Sequence, residues 1–269
     1  MRSMKSKLSK FILALLIALS PVVAYCIFIS DGQAVVITAD DQAIVGLIKL
    51  GRLPELRNFL KKHPYKKVPA VKRSIWMMTA IEEQQVDALD ALLDWGSDIN
   101  QGVTIQSEGE NLFITPLVHA ISTKTGLAMI RYLVLRGANV NPLDSPQLPL
   151  NFALSLHQYD VANFLLDEGA NPNGQDPVGK MTPMIDLAVA ATLDTDMTAA
   201  SDLANRLVKA KADVNAQSTR GASAISFAVS AGKLDFVRTL LELDANPNTK
   251  NDGTGAACGL RIHVRLGLD

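Results

Sequence analysis

Cysteine is nearly absent from this chain of 269 residues, and aromatic side chains make up 5% of it. Cys26 lies in an apolar N-terminal stretch and Cys258 near the end, so there is no disulfide framework and stability must come from packing. Scarce aromatics argue against a sandwich or barrel, whose strands draw on aromatic and β-branched side chains. Ala and Leu dominate instead, as in helices packed closely through small residues. The four histidines, His63, His119, His157 and His263, stand singly and give no metal-ligand spacing.

Recognisable chemistry is missing too. The chain has no His-Glu-x-x-His, no Gly-x-Ser-x-Gly, no Gly-rich loop ending in Gly-Lys-Ser/Thr and no Cys-x-x-Cys. Asp194-Thr195-Asp196 resembles a metal-binding acidic pair but reads as a solvated loop. Glu108 and Glu110 lie in a stretch where nothing raises a carboxyl pKa toward acid–base work. The expectation is a protein that is not an enzyme and carries no catalytic, cofactor or metal site. An enzyme that uses the inserted loops is a minor alternative.

What is present begins at the N-terminus. Arg2, Lys5, Lys7 and Lys10 come with no acid, and an uncharged run from Phe11 to Ser30 follows. About 20 apolar residues span a bilayer, and positive charge marks the cytoplasmic side. Residues 1–10 therefore read as a cytoplasmic flank, 11–30 as a single transmembrane helix and 31–40 as a linker, with the rest outside the cytoplasmic membrane, in the periplasm if the cell is Gram-negative. The alternative is a signal peptide cleaved near Ala24, with Val22-Val23-Ala24 as its small-residue site. Without the four basic residues of the flank, 22 Lys and Arg face 27 Asp and Glu, which makes nucleic acid a poor partner. The local exception is Lys61, Lys62, Lys66, Lys67, Lys72 and Arg73. It reads as a solvated connector, with lipid headgroups or an acidic protein as the alternatives.

The rest of the chain repeats itself. A polar tag recurs at Asp98-Ile99-Asn100, Asn139-Val140-Asn141, Asn171-Pro172-Asn173, Asp213-Val214-Asn215 and Asn246-Pro247-Asn248. Before the tags, and before a matching stretch at the start, come the apolar pairs Phe59-Leu60, Leu92-Leu93, Leu133-Val134, Leu165-Leu166, Leu207-Val208 and Leu240-Leu241. Leu56, Leu89, Ile130, Ala162, Ala204 and Val237 share a helical face with them. Three residues beyond each pair sit His63, Gly96, Gly137, Gly169, Lys211 and Asp244, where a left-handed residue is expected to end the helix, with modest strain at Lys211. Upstream, Thr115-Pro116-Leu117, Leu148-Pro149-Leu150, Thr182-Pro183-Met184 and Ser223-Ala224-Ile225 open shorter helices. Ala120, Ala153, Ala188 and Ala228 follow as close-packing positions. Trp76 and Trp95 are expected to pack in the core or at an edge.

Thr-Pro-Leu-x-x-Ala, a second helix carrying Leu-Leu, a Gly-Ala turn and an Asn-x-Asn tag together resemble the ankyrin repeat, two antiparallel helices and a β-turn in about 33 residues. The resemblance implies an all-α ankyrin-repeat solenoid over residues 41–253 in six units, 41–66, 74–100, 115–141, 148–173, 182–215 and 223–248, the first a degenerate cap. An irregular tail, 254–269, follows. It also implies that Asn151 ties neighbouring turns together, a role that His119 fills structurally from one place later. Gln101–Ile114 becomes an oversized finger loop, and Ala190–Ser201 an insertion that lengthens the inter-helix turn or the helices beside it. By position, the resemblance puts Gln101, Glu108, Glu110 and Phe113 on the large finger and Asp144, Gln147, Gln175, Asp176, Gln217 and Arg220 on later ones, as contacts for another protein. The implied function is non-enzymatic binding, inhibiting or guarding an envelope or toxin protein, with an envelope assembly scaffold as the alternative.

Overall fold

The computed structural model describes residues 28–30, 33–35, 38–107, 110–142, 147–194 and 197–249. Two compact units meet in sequence at Asn139 and Val140, and each is described by itself. Both are mostly helical.

In the first unit, β1 (Phe28–Ser30) and β2 (Gln33–Val35) form an antiparallel pair. The helices are α1 (Ala39–Lys49), α2 (Leu53–Lys62), α3 (Ala70–Glu82), α4 (Val86–Asp94), α5 (Pro116–Ser122) and α6 (Leu127–Leu135). A capping box starts α1: the Thr38 N–H donates to Asp41 Oδ2 at 2.7 Å, and the Asp41 N–H donates to Thr38 Oγ1 at 3.4 Å. Lys72 of α3 reaches the same Asp41 carboxylate at 2.6 Å. Ser74 through Ile81 are buried without interruption, as a helix enclosed on several sides requires. Here α3 contacts α1, α4, α5 and β3. Trp76 lies in this core, while the Trp95 indole donates from the end of α4 to the His63 carbonyl at 2.8 Å.

The second unit stacks three helix pairs: α7 (Pro149–Ser155) with α8 (Tyr159–Asp167), α9 (Pro183–Ala191) with α10 (Thr198–Lys209), and α11 (Ala224–Ser230) with α12 (Leu234–Glu242). The shorter helices α7, α9 and α11 pack in succession, with Ala153, Ala188 and Ala228 fully buried. Backbones can approach closely there because a methyl group is all that intervenes. The insertion at Ala190–Ser201 is shared out. It lengthens α9 and α10, and the remainder lies in the turn between them.

The polar tags act as clamps. Asn173 Nδ2 donates to the Lys211 carbonyl and Asn173 Oδ1 accepts from the Asp213 N–H, both at 2.7 Å. Asn141 grips Gly169 O and Asn171 N in the same way, and Asn215 grips Asp244 O and Asn246 N. In the first unit Asn100 holds Gly137 O and Asn139 N. Each gripped carbonyl belongs to a left-handed residue, with φ of 95° at Gly137, 81° at Gly169, 74° at Lys211 and 65° at Asp244. The first residue of the tag aims the last: Asp98, Asn171, Asp213 and Asn246 each accept the N–H two residues on, at 2.8–2.9 Å.

Four expectations need correction. Gln101–Ile114 is no open loop, because β3 (Val103–Ser107) and β4 (Glu110–Ile114) pair antiparallel from Val103 opposite Ile114 to Ser107 opposite Glu110. His63 does not close its helix in the left-handed region; its φ is −120°. The reason is Pro64: its ring crowds the residue before it, which is pushed into the extended region, and His63 lies there with ψ 101°. The stretch 31–40 is not all linker, since it holds β2 and the start of α1. Finally, Phe28–Ser30 at the end of the uncharged run form a strand, not the last turn of a spanning helix. Residues 11–27 of that run, and the tail 254–269, lie outside the described residues. Among the described residues no helix is long and apolar enough to cross a membrane.

Asn173→Ala removes a donor and an acceptor together, and should lower unfolding free energy by about 1–3 kcal/mol in urea titrations. Gln217→Ala, at an exposed position, should stay within about 0.5 kcal/mol of the parent. Lys211 carries a Cβ at φ 74°, so Lys211→Gly relieves it and should stabilise the protein by roughly 0.5–1 kcal/mol in the same titrations, leaving the clamp on its carbonyl intact.

Candidate functional site

Between a tag and the next helix pair the chain makes a finger, and the best-defined one spans 174–181. Its shape is fixed by one carboxylate. Asp176 Oδ1 accepts from the N–H groups of Val178 (2.9 Å) and Gly179 (2.6 Å), and Oδ2 accepts from Met181 N–H at 2.7 Å. The Asp176 N–H returns to the Met181 carbonyl at 3.2 Å, closing the loop. Three backbone donors on one side chain hold the turn in place, and Val178 stands 82% exposed at its tip. Gly174 lets the finger leave the stack: a Cβ there would lie 2.5 Å from Leu148 Cδ1.

The next finger, 217–222, is organised by Ser218, whose Oγ accepts from Arg220 and Ala222 N–H at 3.4 and 3.2 Å. The Thr219 N–H donates to the Gly179 carbonyl at 2.9 Å, so the two fingers are tied side by side. Beneath them Asn151 does what its position implied. Its Nδ2 donates to the carbonyls of Gly174 (3.3 Å) and Met181 (3.1 Å) and to Asp186 Oδ2 at 2.8 Å. Burial pushes the Asp186 carboxyl up to about 8; the Asn151 amide opposes that shift and the Asp176 charge adds to it. At neutral pH Asp186 is thus held mainly in its protonated form, as an internal strut out of reach of solvent.

The expected contact residues divide by place. Gln175, Gln217 and Arg220 are exposed on the two fingers, whereas the Asp176 carboxylate is engaged with its own loop. Gln147 is half-buried just before α7. Gln101 is half-buried too, with its carbonyl accepting from Ser74 Oγ at 3.0 Å. Phe113 is half-buried in β4 and crowds Gly102, where a Cβ would come within 2.4 Å of Cζ. Glu110 lies in β4 opposite Ser107; Glu108 and Asp144 fall outside the described residues. Val178 escaped the sequence reading. Its signal was an apolar residue between Pro177 and Gly179, in a turn where nothing apolar is needed for folding.

Two other polar sites were weighed for chemistry. The Asp194 carboxylate accepts from His157 Nδ1 at 3.0 Å and from the Tyr159 hydroxyl, and its carbonyl accepts from Lys233 Nζ. Burial, then the bond to Asp194, push the Tyr159 phenol upward, so it stays a neutral donor. Asp194 is therefore no free solvated carboxylate: the group fastens three successive inter-helix turns. Among the described residues no cluster of three or more His, Cys, Asp or Glu is placed to hold a metal. His119 does not bond a neighbouring loop as expected. It is wholly buried, its ring nitrogens lack a well-formed hydrogen bond, and burial lowers its pKa to about 4, partly offset by the Met78 backbone.

For Asp186 a folded pKa near 8 against 3.8 when free means that the folded state holds the proton more tightly. Its contribution is full below about pH 4 and is lost as pH rises through about 8, by about 1.4 kcal/mol per unit of difference. Asp186→Asn should therefore gain on the parent as pH climbs across that window, in urea midpoints measured on both; a constant gap would show an ordinary carboxylate.

A search of curated proteins finds no match. Two family profiles do match, one described as "Ankyrin repeats (3 copies)" over residues 77–176 and one as "Ankyrin repeat" over 220–252. With the stacked helix pairs, left-handed helix ends and bridged fingers just described, residues 77–176 and 220–252 of this chain are ankyrin repeats.

Proposed function

We propose that the chain binds another protein through fingers 174–181 and 217–222. Ankyrin repeats make it a protein–protein interaction module. The observation that carries the choice of face is the rigid presentation of Val178: an apolar side chain 82% exposed on a loop whose backbone three hydrogen bonds already fix. Little ordering entropy remains to be lost there on binding. Exposed Gln175, Gln217 and Arg220 flank it as a polar rim. The partner we infer is an envelope or toxin protein held in check outside the cytoplasmic membrane. Support for that setting comes from Arg2, Lys5, Lys7 and Lys10 ahead of the uncharged run Phe11–Ser30.

The test compares the full chain with Val178→Asp as bait in envelope extract. The substitution leaves the fold untouched, since the side chain packs on little, and should weaken the captured partner by tenfold or more, the loss of one hot-spot contact of about 1.4 kcal/mol or above. Equal capture by both baits would move the binding face elsewhere. Growth protection against the co-expressed partner then distinguishes a guard from a scaffold.

A further inference from the structure

From Leu56 to Ile81 the chain carries no Asp or Glu, while Arg57, Lys61, Lys62, Lys66, Lys67, Lys72 and Arg73 fall within it. The structure divides these cations. Lys72 is committed to Asp41 and Arg73 lies over the Tyr65 ring, 5.3 Å from its centroid. Arg57, Lys61, Lys62, Lys66 and Lys67 are exposed, and none pairs with an acid among the described residues. The nearby Glu55 carboxylate is taken by Arg52.

The surface they occupy is ordered. The Lys61 and Lys62 side chains leave the last turn of α2, and Lys66 and Lys67 leave the single 3-10 turn Tyr65–Lys67. Tyr65 pins that turn edge-on to Trp95 at 6.4 Å between ring centroids, and the Trp95 indole holds the His63 carbonyl. His63 in turn stacks on Phe59 at 4.0 Å. Five like charges are thus held close together with no internal counter-charge, at the expense of their mutual repulsion.

We infer that this face docks on an anionic phospholipid surface. Four of the five cations are lysines, point charges on flexible stems that hold phosphate without the fixed geometry an arginine fork demands, which suits a fluid array of headgroups. A cluster of four to eight cations on an amphipathic helix is a known means of holding anionic headgroups. Here α2 is such a helix, with Leu56 and Leu60 buried and Arg57, Lys61 and Lys62 exposed on its outer side.

Flotation of the full chain with vesicles of phosphatidylcholine, alone or mixed with phosphatidylglycerol, tests it. Each cation near such a surface raises partitioning about fivefold. The parent should therefore favour the mixed vesicles by tenfold or more, with the preference fading as salt rises. The run contributes alike to both vesicle types, and the basic flank is common to all variants. K61Q/K62Q/K66Q/K67Q, with an unchanged thermal midpoint, should then show a preference lowered severalfold from the parent's, the remainder being the flank's share. Should that variant lose its cooperative unfolding, K61Q/K66Q reads the same effect at smaller size. An equal preference in parent and variant overturns the inference. So does a parent that ignores phosphatidylglycerol while binding immobilised polyglutamate, which would give the patch to an acidic protein.

Discussion

A single side-chain amide gripping a carbonyl and an N–H of the following turn is what each stack of helix pairs depends on. Neighbouring helices pack through alanines and leucines, a contact that is strong but not directional. The amide is directional. At Asn173 both of its groups find backbone partners at 2.7 Å, and a displacement of an ångström would break both bonds. Hydrophobic burial supplies the attraction within each stack, and the asparagines set its register.

The same arrangement explains why a residue as ill-suited as Lys211 sits at φ 74°. Its carbonyl must face the Asn173 amide, and only the left-handed region turns it that way while leaving the Asp213 N–H free to donate. The local cost, about 1–2 kcal/mol for a residue with a Cβ, is offset by two hydrogen bonds that an alternative geometry would forfeit.

These relations also decide what could be read from the chain unfolded. The tags, the left-handed positions from Gly96 to Asp244 and the buried alanines were legible because each is local chemistry repeated. The end of α2 was misread because counting from the apolar pair passed over Pro64, which holds the residue before it extended. The β3–β4 hairpin went unread although Val103 and Ile105 alternate with Thr104 and Gln106 and an apolar run, Leu112-Phe113-Ile114, follows, since an insertion in a helical repeat is expected to be loop. The Asn151–Asp186 strut was half legible: the position of Asn151 suggested a bridge, but the protonated carboxyl beneath it exists only because separate turns exclude water together. Of the finger residues, Gln175, Gln217 and Arg220 could be placed outward by position, whereas the inward role of Asp176 depends on three N–H groups that no spacing reveals.

What the clamps grip is backbone. The intervals between tags are uneven because they hold a β-hairpin at Val103–Ile114 and longer helices at α9 and α10, yet Asn100 and Asn173 each grip the carbonyl of a left-handed residue and the N–H two residues beyond it. Residue count and structural pitch are therefore uncoupled. Chain added between one clamp and the next does not register in the stack, so the fingers can be lengthened, exchanged or rewritten as cargo while the frame that carries them keeps its step.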